Sequence, residues 1–198
     1  FGFPENKKEI LEKLSSKPTF LMVATIEPRK GHIQTIQGFE ELWKTDDINL
    51  VIVGKEGWKG LEDEKRRTIP QIINKIKNHK ELNKKLFYLE NISDEFLQEI
   101  YKISTALISS SQAEGFGLPL IEAAQSNIPI IARDIPVFRE VAKEFAYYFN
   151  DDDNPKTISE AIKNWLELYK ANKHPKSQNM PWLTWQESTK ILLDKIII

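Results

Sequence analysis

The chain has 198 residues, of which 40% are hydrophobic and 29% are charged, a composition typical of a folded globular domain rather than a disordered or fibrous chain. With 28 Lys and Arg against 29 Asp and Glu, the formal net charge of -1 excludes binding to nucleic acid or an anionic membrane through overall charge. The absence of cysteine excludes disulfides and thiolate metal sites, and no apolar run reaches the ~20 residues of a bilayer span.

Apolar runs of strand length alternate along the chain with amphipathic stretches of helix length. The predicted strands are 19–25, 49–53, 86–89, 105–109, 128–132 and 146–149, and the predicted helices are 31–44, 69–79, 94–103, 117–126, 137–143, 157–169 and 184–197. Most of the strands are continuous apolar runs, as expected where helices cover both faces of a parallel sheet. The order predicts an α/β fold with a Rossmann-like, doubly wound parallel sheet.

Local signals refine this prediction at several points. Asp94 and Thr157 are expected to start their helices. The acidic residues 151–153 are interpreted as a turn or a helix cap rather than a metal motif. Trp182 and Trp185 are expected to pack the last helix onto the domain.

Two cations follow the first predicted strand. Arg29 and Lys30 stand directly before Gly31 and the start of a helix. In parallel α/β sheets, ligands bind outside the carboxyl ends of the strands, where helix N-termini also lie. Positive side chains beside backbone N–H groups suit a phosphate. The alternative is that both are solvated surface charges.

The loop after the fourth predicted strand is rich in small residues. Gly115 and Gly117 precede Pro119, which is favourable in a first helical turn because it has no N–H to leave unpaired. Glu114 lies in this loop and Glu122 follows eight residues later within the helix. The two carboxylates are interpreted as acceptors for sugar hydroxyls in one crevice, with exposed surface acids as the alternative.

A metal site is not expected. The three histidines are far apart and lack metal-ligand spacing. His32, beside the cations, is interpreted as a structural or solvated histidine, with phosphate contact as the alternative.

The segment from Glu114 to Glu122 resembles the E-x7-E motif of glycosyltransferase family 4, which comprises retaining enzymes of the GT-B fold. The loop 27–31 is similar to the diphosphate loop of that family, and the similarity continues through 50–54, 130–136 and the C-terminal helix. Bacterial mannosyltransferases that build lipopolysaccharide O-antigen and other surface polysaccharides are especially similar.

The resemblance implies a role for each matching residue. Lys30 and Arg29 would hold the donor phosphates, Glu114 would contact the donor sugar, and these three are the expected catalytic residues. The expected donor-binding residues are Glu122 at the ribose, the loop residues Gly115, Phe116, Gly117 and Leu118, and Ile92 in the segment beside the nucleobase. One departure is Ala24, at a position six residues before Lys30 where many members carry arginine. Arg29 would then supply the second cation, and the affinity for diphosphate is the property in question.

The resemblance also implies an overall organisation. Residues 1–17 would be an interdomain linker and leading helix, and residues 18–198 would form the donor-binding domain and C-terminal helix, the C-terminal half of a GT-B fold. Because the chain opens at Phe1 instead of Met, we expect a domain cut from a longer polypeptide. The acceptor-binding N-terminal domain would be absent from this chain, so the isolated chain would be inactive. The last helix would expose apolar surface.

The implied activity is transfer of a hexose, with mannose from GDP-mannose favoured, from a nucleotide sugar to a glycan or lipid-linked glycan, without a cofactor or metal. The enzyme would be cytoplasmic, with the full-length protein peripheral at the inner face of the plasma membrane. A non-catalytic nucleotide-sugar-binding module of a larger polysaccharide-assembly protein is the alternative, and another GT-B enzyme, such as an epimerase or phosphorylase, stays open. A dinucleotide-dependent oxidoreductase would need a Gly-x-Gly-x-x-Gly turn after the first strand, where this chain has residues 27–32 without that pattern.

Overall fold

A computed structural model of the chain describes residues 6–196, so part of the expected linker, residues 1–5, lies outside the described residues. Its strands are β1 (Thr19–Val23), β2 (Asn49–Val53), β3 (Leu86–Leu89), β4 (Ala106–Ser109), β5 (Ile130–Arg133) and β6 (Ala146–Phe149). They form one parallel sheet in the order β3-β2-β1-β4-β5-β6. This is the strand order of a doubly wound Rossmann fold, as the sequence predicts.

Helices cover both faces of the sheet. They are α1 (Lys7–Ser15), α2 (His32–Leu42), α3 (Ile69–Lys77), α4 (Asp94–Ile103), α5 (Leu118–Gln125), α6 (Pro136–Ala142), α7 (Pro155–Lys170) and α8 (Trp185–Ile196). Across residues 6–196, none of the helices combines the length and the apolar character that crossing a bilayer requires.

Two hydrophobic layers hold the helices to the sheet. Side chains alternate along a strand, so Leu21 faces the layer formed with α1, α4, α5 and α6, whereas Phe20 and Met22 face the layer formed with α2, α3 and α7. In the second layer the Phe20 ring lies edge-on to Trp165 of α7, with ring centroids 5.9 Å apart. A sheet buried on both faces explains why its strands are continuous apolar runs in the sequence.

Helix α4 begins at Asp94, as predicted, whereas α7 begins earlier than predicted. Helix α7 begins at Pro155, since the Asn154 side chain accepts a hydrogen bond from the Lys156 N–H at 3.1 Å. Ser93, one residue before Asp94, caps α4 by accepting from the Phe96 N–H at 3.3 Å. Asp94 is thus the first residue of its helix, as expected, and Thr157 lies inside the first turn of α7.

Strand bounds also shift by one or two residues. Strand β1 ends at Val23 instead of residue 25, and β5 runs from Ile130 to Arg133 instead of 128–132. Two residues before β5, the Ile128 carbonyl accepts from the Ser177 hydroxyl at 2.5 Å. This carbonyl therefore bonds to a residue outside the sheet. The apolar runs are longer than the segments that pair with neighbouring strands, so composition does not show where a strand begins or ends.

The C-terminal helix is exposed, as expected, but the two tryptophans before and in it do not pack it onto the domain. None of the described residues of α8 is buried, and Ile191, Leu192 and Leu193 are all exposed. Trp182 is 41% exposed and Trp185 78% exposed, so the expectation that they anchor α8 is wrong. An amphipathic pattern predicts an apolar helix face without specifying what covers it.

Two truncations separate core from surface contributions. Trp165→Ala removes a fully buried ring from the α7 layer and should lower the free energy of unfolding by about 3–5 kcal/mol. Leu192→Ala on α8 removes an exposed side chain and should change it by less than about 0.5 kcal/mol. Urea denaturation of both variants measures the difference, and similar losses would show that α8 is packed.

Candidate functional site

The candidate site lies where the winding of the sheet reverses. Strands β1 and β4 are neighbours, yet their connections leave toward opposite faces, to α2 on one side and α5 on the other. The loops after these strands and the N-termini of both helices therefore meet at the carboxyl edge of the sheet. This geometry brings the two predicted loops, 27–31 and 109–117, together.

The loop after β1 is shaped by a close contact with the loop after β4. Pro28–Lys30 form one turn of 3-10 helix, and Gly31 follows with φ at 75°. A Cβ at Gly31 would lie 2.3 Å from the Ser110 carbonyl oxygen. Glycine is required here both for its left-handed conformation and for the lack of a side chain.

Lys30 and Glu114 form the centre of the site. The Lys30 ammonium donates to Glu114 Oε1 at 2.5 Å, and each side chain is only 13% exposed. The Ser111 hydroxyl donates to the same carboxylate at 2.8 Å. Although burial alone would raise the pKa of Glu114, the bonds from Lys30 and Ser111 and the charge of Arg29 hold it below its usual range. Glu114 is therefore ionised at neutral pH.

Arg29 provides a second cation beside this pair. Its guanidinium donates to the Ala113 carbonyl at 2.7 Å and to Glu114 Oε2 at 3.3 Å. In return the Arg29 carbonyl accepts from the Gln112 N–H at 2.8 Å. Ala24 occupies the position where many members of the resembled family carry arginine. It packs against the hydrophobic layer of α2 and α7.

The glycine-rich loop opens α5 as predicted. Gly117 has φ at 88° and precedes the first helical residue, Leu118. A Cβ there would lie 3.0 Å from the Phe138 ring. Gly115 has no neighbouring atom within 4 Å of where its Cβ would be, and the side chains of Phe116 and Leu118 are exposed. The space beside Gly115 is thus open, whereas Gly117 is buried against Phe138.

Glu122 lies apart from the cation cluster, on the α4 side of α5. Its carboxylate accepts from the Tyr101 hydroxyl at 2.7 Å. Tyr101 is fully buried, and burial together with the Glu122 charge raises the pKa of its phenol, so it stays a donor. The sequence analysis missed Tyr101, because a tyrosine at an apolar position of a helix is indistinguishable from ordinary core.

A cavity of about 550 Å³ adjoins this region. Phe116, Leu118 and Glu122 line one side of it, and residues 181–185 with Ser188 line the other. Glu114, Lys30 and Arg29 do not line it. Ile92 lies after β3 and packs partly buried against the hydrophobic layer of α4 and α5. Glu114 thus pairs with the two cations, whereas Glu122 lines the cavity and Ile92 packs against the hydrophobic layer.

His32 is the first residue of α2 and follows the cation loop directly. Its ring is 1% exposed, and burial together with the Lys30 charge lowers its pKa to about 3, against contacts with the Ala24 and Glu27 backbone that raise it. The ring is therefore neutral and structural, the first of the two predicted alternatives. Within the described part of the chain, no group of three or more His, Asp and Glu side chains is arranged to hold a metal ion.

Residues 151–153 form a bend directly before Asn154, which caps α7, so the segment is close to the turn that was predicted. Asp152 Oδ1 accepts from the Asn154 N–H and its Oδ2 accepts from the Thr157 hydroxyl, both at 2.9 Å. Asp151 instead accepts from Arg133 at 3.1 Å, and Asp153 accepts from the Gln112 side chain at 2.5 Å.

The fold and site together define a Rossmann-like α/β domain with two cations paired to carboxylates at its switch point. Residues 4–180 match the family model described as "Glycosyl transferases group 1", and the chain belongs to this family. The fold and the family agree with the resemblance that the E-x7-E segment carries.

Curated relatives of the chain include proteins named as mannosyltransferases. The whole chain is 51% identical to the serotype-specific mannosyltransferase WbdA of Escherichia coli, of which it spans 23%. Over 164 residues, or 82% of the chain, it is 35% identical to the O-antigen chain mannosyltransferase RfbU of Salmonella typhimurium, of which it spans 42%. The chain thus covers less than half the length of each.

Solved structures confirm the architecture. A glycosyltransferase from Rickettsia africae superposes with a TM-score of 0.70 at 22% identity, over 98% of this chain and 52% of that one. Sucrose-phosphate synthase from Thermosynechococcus elongatus superposes with a TM-score of 0.71 at 19% identity, over 100% of this chain and 50% of that one. This chain has the fold of one half of such GT-B proteins.

Gly31 and Gly115 offer a matched test of the loop geometry. Gly31→Ala places a methyl group against the Ser110 carbonyl and should lower the free energy of unfolding by at least about 2 kcal/mol. Gly115→Ala faces open space and should change it by less than about 0.5 kcal/mol. Chemical denaturation compares the two, and a neutral Gly31→Ala would contradict the close contact.

The neutral His32 predicts a loss of stability in mild acid. The pKa of its ring is about 6.5 when unfolded and about 3 in the fold. Below pH ~6.5 the unfolded chain binds a proton that the folded chain does not, so stability is full above that pH and falls as the pH drops toward ~3. Between about pH 7.5 and about pH 5, this group should remove about 2 kcal/mol.

Denaturation of the wild type and of His32→Gln at both pH values measures this contribution. The variant should lose less stability than the wild type between the two pH values, whatever its stability at neutral pH. Equal losses would show that His32 is protonated in the fold.

Proposed function

We propose that this chain is the nucleotide-sugar-binding domain of a retaining glycosyltransferase that transfers mannose to a growing glycan in O-antigen or related polysaccharide synthesis. Membership of the glycosyl transferase group 1 family supports the reaction class. The 51% identity to WbdA and the 35% identity to RfbU, both mannosyltransferases by name, support the sugar. Because the chain spans only part of these relatives, transfer itself is proposed for the whole protein.

The observation that carries the proposal is the cation pair at the switch point. Arg29 and Lys30 lie at the start of α2, and the N-terminus of α5 approaches from the other side of the crevice. Two positive side chains and two helix N-termini at the same edge of the sheet favour a negatively charged group such as a phosphate. A diphosphate fits this arrangement without a metal ion.

The same groups suit the chemistry of transfer. As the glycosidic bond breaks, negative charge accumulates on the departing nucleoside diphosphate. Donors already aimed at that position stabilise the transition state more than the ground state, because no reorganisation is needed as the charge develops. An ammonium has three N–H donors, of which Glu114 takes one, so Lys30 can serve both Glu114 and a phosphate.

The carboxylates would recognise hydroxyl groups. Glu114 is ionised and held beside the cations, so it can accept from the donor sugar while it orients Lys30. Glu122 is held by the Tyr101 hydroxyl and can accept from the ribose with its second oxygen. Ile92 and its neighbours would lie against the base, and the loop from Gly115 to Leu118 would contact the sugar or phosphate through its backbone.

The remaining parts of the activity belong to the whole protein. A second Rossmann-like domain would bind the acceptor and close over the site, since this chain covers only about half of the solved chains that it superposes on. GDP-mannose is the proposed donor, and the acceptor would be a glycan on a lipid carrier at the inner membrane face, reached from the cytoplasm. Transfer would need no cofactor.

Calorimetric titration with GDP, UDP and ADP, each with and without Mg²⁺, tests the site directly. One nucleotide, proposed to be GDP, should bind with the same affinity in both conditions. Lys30→Ala and Glu122→Ala should each weaken its binding by about tenfold or more, because each removes a hydrogen bond to a charged group.

Lys44→Ala serves as the control and should leave binding unchanged. Lys44 is exposed, pairs with Glu41 and lies beyond the C-terminal end of α2, far from its N-terminus. Binding of none of the three nucleotides, or equal binding by Lys30→Ala, would overturn the proposed site. Binding by the chain together with no mannose transfer by the whole protein would point to a non-catalytic binding module.

A further inference from the structure

Arg133, at the end of β5, is a fully buried cation that the sequence analysis did not single out. Its side chain is 0% exposed and belongs to none of the loops expected to hold the donor. A buried charge is costly unless each of its donors is paired, so its partners show why it is there.

The guanidinium of Arg133 connects three separate segments. Nε donates to the Ser110 carbonyl at 3.0 Å, and NH2 donates to Gln34 Oε1 on α2. NH1 donates to the Asp152 carbonyl at 2.6 Å and to Asp151 Oδ1 at 3.1 Å. The loop after β4, the first turns of α2 and the loop before α7 are therefore all attached to one side chain.

Two of these attachments determine where Lys30 lies. The Ser110 carbonyl held by Arg133 is the atom that approaches Gly31 most closely, and the Ser110 hydroxyl donates to the Lys30 carbonyl at 3.1 Å. Gln34, the other partner, is one turn along α2 from Lys30 and also donates to the Asp152 carbonyl at 2.8 Å. Arg133 thus fixes the β4 loop and the start of α2 relative to each other.

We propose that Arg133 is a positioning residue that sets the Lys30 ammonium for binding of the diphosphate. This inference rests on the proposed function of the Lys30 site. It assigns a role in that function to a residue that lies outside the site. The planar fork of arginine reaches four acceptors on three segments, whereas a lysine ammonium has only three N–H donors. Arg133 would act through Ser110 and Gln34, without touching the ligand.

A merely structural role would affect folding alone, so the test measures binding by the folded protein. The variants are Arg133→Lys, which keeps the charge but loses the fork, and Gln34→Met, which removes the link to α2. Arg139→Lys is the matched control, because Arg139 also pairs with an aspartate, Asp134, at 2.6 Å and stacks on the ring of Tyr148. Denaturation identifies conditions in which each variant is folded.

Titration with GDP in the wild-type and Lys30→Ala backgrounds gives a double-mutant cycle. Arg133→Lys and Gln34→Met should each weaken GDP binding by about tenfold in the wild type and by less than about twofold in Lys30→Ala, since both act through Lys30. Arg139→Lys should leave it unchanged. Unchanged binding by both variants, or equal weakening in both backgrounds, would overturn the inference.

The outcomes separate this inference from the proposed function. If the wild type binds and Lys30→Ala weakens binding, the site stands, and the cycle alone decides the role of Arg133. If the wild type binds no nucleotide, the proposed function fails and the positioning role with it. If Arg133→Lys does not fold, Gln34→Met provides the same comparison.

Discussion

The Ser110 carbonyl lies against Gly31, and the geometry of the whole crevice follows from this contact between the loops after β1 and β4. The two strands are neighbours in the sheet, so their loops must pass each other at its carboxyl edge, and only a residue without a side chain allows the observed approach. Lys30 precedes that glycine and Glu114 follows in the other loop. Their 2.5 Å ion pair is therefore a consequence of backbone packing.

The charges of the site are balanced locally. Arg29 and Lys30 face Glu114 with Glu27 nearby, and Arg133 faces Asp151. Such partly buried pairs contribute little net stability, because the free energy of removing each charge from water offsets the attraction between them. Their value lies in preorganisation, since an ammonium already held in place loses little entropy when a phosphate binds.

Much of the fold could be predicted because both faces of the sheet are buried. Burial makes each strand a continuous apolar run, and all six strands were found in this way. The errors lie at element ends. Helix α7 starts at Pro155 instead of Thr157, because Asn154 accepts the capping hydrogen bond and asparagine and threonine are both good caps. Trp182 and Trp185 were misplaced because an apolar side chain does not identify the surface that covers it.

The sequence by itself determined the class of fold and the two loops that carry the candidate site, since these depend on local periodicity and on the spacing of glycines, cations and carboxylates. The family came from the resemblance of the E-x7-E segment. Only the tertiary structure decided that Glu114 pairs with Lys30, that Tyr101 holds Glu122 and that Arg133 joins three segments. These partners are separated by 84, 21 and 23 residues. Contacts over such separations arise from the order in which parallel strands assemble, which no local pattern in the chain encodes.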